Sequence, residues 1–265
     1  MDINVCVSIY IFFCLLMSLL FSLFAPIRMT LKLVILGAGG LVGARLLTRL
    51  ADLKDFHVSP VSKIPIGQIV LFDVSDKNFP QWSKNNSRFV SFIGDLTNRD
   101  CVMKALDPTG FTHVTVIHLA ALLSGYSEEN FDLGMKINLF GTINVMECVR
   151  EVSKTLGSPQ IYVYVSTDYV AAFNEYNRTH PVNEESFRLS PVSYGCQKAC
   201  CEILVCDYTR KGFLDGRVGR LSAVIGRPGF SNSISYPYTG IFTQPLEGKD
   251  YDVPLPMEVC TLRSL

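Results

Sequence analysis

The chain has 265 residues, 48% hydrophobic and 18% charged, and its 24 Lys+Arg balance 24 Asp+Glu to a formal net charge of zero. This length reads as one large or two small domains, and so much apolar surface offsets the ordering entropy of a packed core, which excludes disorder. The absence of a basic stripe argues against a nucleic-acid partner. Nine scattered cysteines, an odd count, point to free thiols in a reducing compartment rather than a disulfide scaffold.

Residues 1–28 differ from the rest. No charge occurs from Ile3 to Ile27, and residues 5–25 are almost wholly apolar. Three readings stay open. The stretch is long enough for one membrane-spanning helix, and Arg28 and Lys32 after it would keep the remainder in the cytoplasm. Alternatively Met29 starts a soluble domain and the leader is a gene-model extension. A cleaved signal peptide is the third reading, against which stands the lack of a basic residue before the apolar core.

From Leu31 onward, short apolar runs alternate with helix-length stretches. Leu33–Leu36, Ile69–Phe72, Phe89–Ile93, Val114–Leu119, Ile161–Val165 and Val218–Leu221 read as strands, with helices at about 41–52, 99–106, 129–153 and 191–211 between them. Continuous apolar runs are the mark of parallel strands covered on both faces. The predicted fold is therefore α/β, a doubly wound parallel sheet over residues 29–225, followed by a small loop-rich region at 226–265.

The first strand runs into Gly37-Ala-Gly-Gly40-Leu-Val-Gly43 and then a helix. Glycine is needed where the chain turns sharply and where backbone approaches a pyrophosphate, and a helix N-terminus favours phosphate. Gly37, Gly40, Leu41, Val42 and Gly43 are thus candidate dinucleotide contacts. Asp73 ends the next strand. A carboxylate there can accept both ribose hydroxyls and repels a 2′-phosphate, which predicts NAD rather than NADP. Asp73 lies further from the glycines than the usual ~20 residues, and 53–67 reads as a long helix-to-strand connection. Asp95-Leu96 and His118-Leu119-Ala120-Ala121 end the third and fourth strands, where small residues would let a cofactor cross. His118 reads as a satisfied strand-end histidine. Cys196 and Cys200 are one turn apart without a partner pair elsewhere, so no metal site is expected.

Tyr194 and Lys198 are four residues apart on one helix, hence on one face. A phenol with pKa near ~10 becomes a usable base beside an ammonium. Thr167, with Ser166 beside it, offers a hydroxyl to orient a substrate oxygen.

Together the glycines, Asp73, Asp95-Leu96, His118-Leu-Ala-Ala, Asn138 in Asn-Leu-Phe-Gly-Thr, Val165-Ser-Thr and Tyr194-x-x-x-Lys198 resemble the extended short-chain dehydrogenase/reductases, the NAD-dependent epimerase/dehydratase family. The stretches 119–125, 131–134, 193–199, 212–221 and 227–229 are similar, more narrowly, to the D-erythronate dehydrogenases. The resemblance covers about residues 31–259. It implies a Rossmann-type NAD-binding domain at 29–225 and a partial, apparently truncated substrate-binding region at 226–265. It also implies Tyr194 as base, Lys198 on the nicotinamide ribose, Thr167 and Ser166 on the reacting hydroxyl, and Asn138 near the cofactor or a proton relay. Ser124, Thr167 and Arg227 become candidate substrate contacts, Arg227 for a carboxylate. Two departures matter: Val170-Ala171-Ala172 stands where relatives carry Val-Tyr/Phe-Gly, and relatives continue past Leu265. The expected activity is oxidation of a secondary hydroxyl of a small sugar acid in a cytoplasmic catalytic domain, with a homodimer expected. Nucleotide-sugar epimerisation or dehydration and a catalytically silent NAD-binding role are the alternatives.

Overall fold

The computed structural model of the chain describes residues 29–171, 180, 183–225, 233 and 235–253. The hydrophobic leader at 1–28 and Arg227 lie outside the described residues. Strand β1 (Leu31–Leu36) is buried along its whole length and pairs in parallel with β3 (Ser62–Asp73) on one side and β5 (His113–His118) on the other. Beyond β3 lies β4 (Phe89–Ile93), and beyond β5 come β6 (Ile161–Thr167) and β7 (Asp215–Leu221), all parallel. The predicted doubly wound sheet is present.

Both faces of β1 are covered, which is why its sequence is continuously apolar. Val34 and Leu36 face one cluster with Val102 and Leu106 of the helix α3 (Arg99–Leu106), Val145 and Val149 of α6 (Thr142–Leu156), and Cys201 and Val205 of α7 (Ser193–Arg210). Leu31, Leu33 and Ile35 face the other cluster, with Leu47 and Leu50 of α1 (Leu41–Leu50). Short helices α2 (Gln81–Lys84), α4 (Ser124–Glu129) and α5 (Phe131–Gly134) fill connections.

Two expectations are corrected. The stretch 53–67 is no plain connection: β2 (Asp55–Ser59) and the first half of β3 form an antiparallel hairpin there. Exposed residues alternate there with buried or half-buried ones, which reflects one covered face, and β3 then runs on into the buried parallel sheet. Arg217 of β7 reaches this hairpin and donates to the Val58 carbonyl at 3.1 Å. The helix predicted over 129–153 is also interrupted, because residues 135–141 form a wide π-helical turn between α5 and α6. Within the loop-rich region after 225, α8 (Tyr236–Leu246) is present. Among the described residues no helix is long and apolar enough to cross a membrane.

Candidate active site

The glycine-rich loop closes against its neighbours so tightly that side chains are excluded. Gly37 takes φ +85°, and a Cβ there would lie 2.6 Å from the Ala120 amide nitrogen. A Cβ on Gly43 would lie 2.5 Å from the Gly37 carbonyl oxygen. Gly40 stands at the N-cap of α1, so no side chain takes up the helix's first amides. They face a cleft of about 850 Å³ whose walls include Gly37, Leu41, Val42, Asp73, Leu96 and Ala120.

Asp73 reaches the loop directly. Its Oδ2 accepts the Gly39 N–H at 2.9 Å and its Oδ1 the Val74 N–H at 2.8 Å. The carboxylate is thereby fixed at the cleft wall with lone pairs to spare. Asp95 is placed differently. It is exposed, and its carboxylate accepts the Thr97 N–H at 2.8 Å, while its neighbour Leu96 lines the cleft.

A second, smaller cavity of about 140 Å³ adjoins the first and shares Val42, Leu119, Ala121 and Leu123 with it. Tyr194, Lys198, Thr167, Ser166 and Ser124 line it together. Residues from β6, α4 and α7 therefore meet where their spacing in sequence placed them only by inference.

Lys198 is 2% exposed and donates to the Val165 carbonyl at 2.8 Å. Its ammonium stands 4.5 Å from the Tyr164 ring centroid and 5.8 Å from that of Tyr194. Burial pulls its pKa down to about 8, against the opposing pull of Cys201 and Glu202. Thr167 Oγ1 accepts the Tyr169 N–H and donates to Asp168 Oδ1, each at 3.2 Å. His118 is fully buried, with Nδ1 2.6 Å from the Tyr162 hydroxyl. Burial, and secondarily the Lys198 charge, lowers its pKa to about 3, so it is neutral. The described residues contain no cluster of three or more His, Cys, Asp or Glu that could hold a metal.

Asn138 lines neither cavity. Buried in the π-helical turn, its side chain accepts the Leu122 N–H at 2.7 Å and donates to Leu122 O, Ser127 Oγ and Gln197 Oε1. It pins the loop that forms the wall between the cavities.

Three groups escaped the sequence reading. Asp168 lines the smaller cavity, and its Oδ2 accepts the Ser222 hydroxyl at 3.2 Å. Its signal was a charged residue directly after the Ser-Thr strand end. Tyr164, two residues before Ser166, lies under the lysine. Glu202, 1% exposed and one turn beyond Lys198, accepts from Arg188 at 2.8 Å and from Arg220 at 2.8 and 3.0 Å. Burial pushes its carboxyl up, and the hydrogen bonds from Arg220 and Arg188 help to outweigh this, holding it below the ordinary carboxylate value.

The model of the NAD dependent epimerase/dehydratase family matches residues 33–254. The D-erythronate dehydrogenase of Cupriavidus necator is 35% identical over 231 residues, 86% of this chain and 66% of the relative. That of Haemophilus influenzae is 31% identical, with the same two shares. The chain thus spans about two thirds of the length of these relatives. Among solved structures, the nucleoside-diphosphate-sugar epimerase of Agrobacterium tumefaciens aligns with TM-score 0.68 and 30% identity, over 86% of this chain and 63% of that one. With the UDP-glucose 4-epimerase of Thermus thermophilus, solved with NAD, the TM-score is 0.64 at 19% identity, over 83% and 64%, a likeness of fold alone. The chain belongs to the NAD-dependent epimerase/dehydratase family.

Proposed function

We propose that the chain oxidises a secondary hydroxyl of a small sugar acid such as D-erythronate with NAD, Tyr194 taking the hydroxyl proton. The observation that carries this reading is the meeting of Tyr194, Lys198 and Thr167 in one cavity that shares a wall with the glycine-lined cleft. The side-chain-free cradle at Gly37, Gly40 and Gly43, with Asp73 at its edge, fits a dinucleotide. NAD, when bound, supplies the hydride acceptor. The chain's own groups do the rest. Lys198 holds a positive charge near the Tyr194 ring, which favours phenolate over phenol. Thr167, fixed by Tyr169 and Asp168, keeps an acceptor lone pair for a second hydroxyl of the substrate, which orients the reacting one toward Tyr194. Ser124 and Arg227 are the proposed substrate contacts beyond this centre, and Asp95 with Leu96 the proposed contacts at the cofactor's other end.

Incubation of the full chain with NAD and D-erythronate should produce NADH. Tyr194→Phe keeps the ring and should lower turnover by ~10²–10⁴-fold while NAD still binds. Near-normal turnover in that variant would sink the assignment of the base. The 30% identity to a nucleoside-diphosphate-sugar epimerase favours a second reading, interconversion of nucleotide sugars. Net NADH from an aldonate, without sugar-nucleotide interconversion, decides for the first.

Two finer readings complete the proposal. Residues 5–25 anchor the chain in a membrane with the catalytic domain on the cytoplasmic side, and resistance of the full chain to carbonate extraction from membranes tests this. The chain also forms a homodimer, a reading supported by the exposed apolar side chains of Phe131, Phe140 and Ile203; sedimentation velocity tests it.

A further inference from the structure

We propose that Asp168 decides which end of the substrate enters the small cavity, accepting a hydroxyl-bearing end and rejecting a carboxylate there. The proposal deepens the sugar-acid reading and rests on it. Of the described residues lining this cavity, two are charged, Asp168 and Lys198. The lysine is buried beneath the cavity, with its ammonium donating to the Val165 carbonyl at 2.8 Å. Asp168 instead joins two walls: Oδ1 accepts from Thr167 at the end of β6, and Oδ2 from Ser222 just after β7, each at 3.2 Å. A carboxylate can only accept, so its remaining lone pairs suit a further hydroxyl and have nothing to offer a second carboxylate. Two like charges about 4–5 Å apart in a partly solvated cavity repel strongly enough to cost roughly tenfold or more in binding.

The same contact sets the role of Thr167. Its proton is committed to Asp168 and one lone pair to the Tyr169 amide, so the lone pair left over accepts a hydrogen bond from a substrate hydroxyl next to the one that gives its proton to Tyr194. In a four-carbon sugar acid the hydroxymethyl end then lies against Asp168 and Ser222, and the carboxylate points away from them. A hydroxy diacid of the same length has no uncharged end to present.

The test compares D-erythronate with meso-tartrate, the same carbon skeleton with its hydroxymethyl end oxidised to a carboxylate. The NAD-saturated full chain should bind D-erythronate at least tenfold more tightly by calorimetry and favour it by a similar factor in kcat/KM. Asp168→Asn keeps the shape and removes the charge, and should narrow that gap at least tenfold, chiefly because meso-tartrate gains. Asp168→Ala should show the same gain with lower rates on both acids, since it also frees the Thr167 hydroxyl. Equal binding of the two acids by the wild type, or a gap unchanged in both variants, overturns the proposal. Selective binding without NADH formation overturns the oxidation reading and leaves the role of Asp168 standing. Failure of the wild type to bind either acid overturns both.

Discussion

At the position of Lys198 a hydrocarbon side chain would be more stable than an ammonium. Its pKa is lowered from 10.5 to about 8 by burial, so the sign follows directly. Below pH 8 the lysine is charged both folded and unfolded, and the folded state bears the full desolvation cost. As pH rises from 8 to 10.5 the folded protein releases its proton first, and the cost is relieved. Lys198→Met should therefore raise stability at pH 7 by about 1–3 kcal/mol, less than the full shift because the bond to Val165 is lost. Calorimetry should record a Tm several degrees higher, with NAD binding weakened and the pH–activity profile moved upward. A lower Tm would mean that the lysine's contacts outweigh its desolvation. Asp73 makes a separate prediction about cofactor choice. Asp73→Ala removes a charged acceptor from the cleft wall and should weaken NAD binding roughly tenfold to hundredfold while narrowing the gap to NADP. Fluorescence titration with both cofactors reads this, and a wild type that already prefers NADP would refute the role.

The π-helical turn at 135–141 shows what one element does for another. Asn138 in that turn takes both backbone groups of Leu122, so α5, α6 and the 119–123 loop hold one another in register. Asn138→Ala should leave the Leu122 N–H and Gln197 Oε1 without partners, while the Leu122 carbonyl keeps the Ser127 hydroxyl. At about 1–3 kcal/mol per stranded buried group, a total loss of roughly 3 kcal/mol is expected, partly relieved by water. Urea unfolding measures it. Because the loop walls both cavities, KM for NAD should rise more than kcat falls. The elements also show where the sequence was readable. The glycine loop, Asp73 and the Tyr194–Lys198 pair were legible because each signal is a fixed spacing within or beside a single strand or helix. The clamp made by Asn138 was not legible, since its partner Gln197 lies 59 residues away. Glu202 was invisible for the same reason: Arg188 and Arg220 stand 14 and 18 residues off, and only the packed fold brings them to one buried carboxylate. The hairpin of β2 and β3 was not legible because β3 changes midway from one covered face to two, and only the second half, Ile69–Phe72, has the continuous apolar run of a buried parallel strand.

The molecule as a whole should be acid-sensitive well above the carboxylate range. His118 is buried neutral with a pKa near 3, whereas the unfolded chain's histidine titrates near 6.5. Stability from this residue is complete above pH 6.5 and is lost as pH falls toward 3, by about 1.4 kcal/mol per unit once the unfolded state is protonated. His113 is lowered by burial as well and adds in the same direction. Glu202 follows at lower pH: its carboxyl is held below the ordinary value, so its contribution disappears as protonation breaks the pairs with Arg188 and Arg220. Urea-unfolding free energies at pH 7, 6 and 5 should fall in the wild type. The slope should shrink by about one proton in His118→Asn, and an identical slope would show that His118 is not the titrating group.

Strand order has a consequence in time. Strand β1 lies between β3 and β5, yet β5 begins at His113, 77 residues after Leu36. At roughly 5–20 residues per second, a ribosome needs about 4–15 s to supply that second neighbour. Throughout the interval the nascent chain carries an apolar strand with at least one open edge, a template for pairing with other chains. Slower translation of the segment between α1 and β5 lengthens that exposure and should lower the yield of native protein.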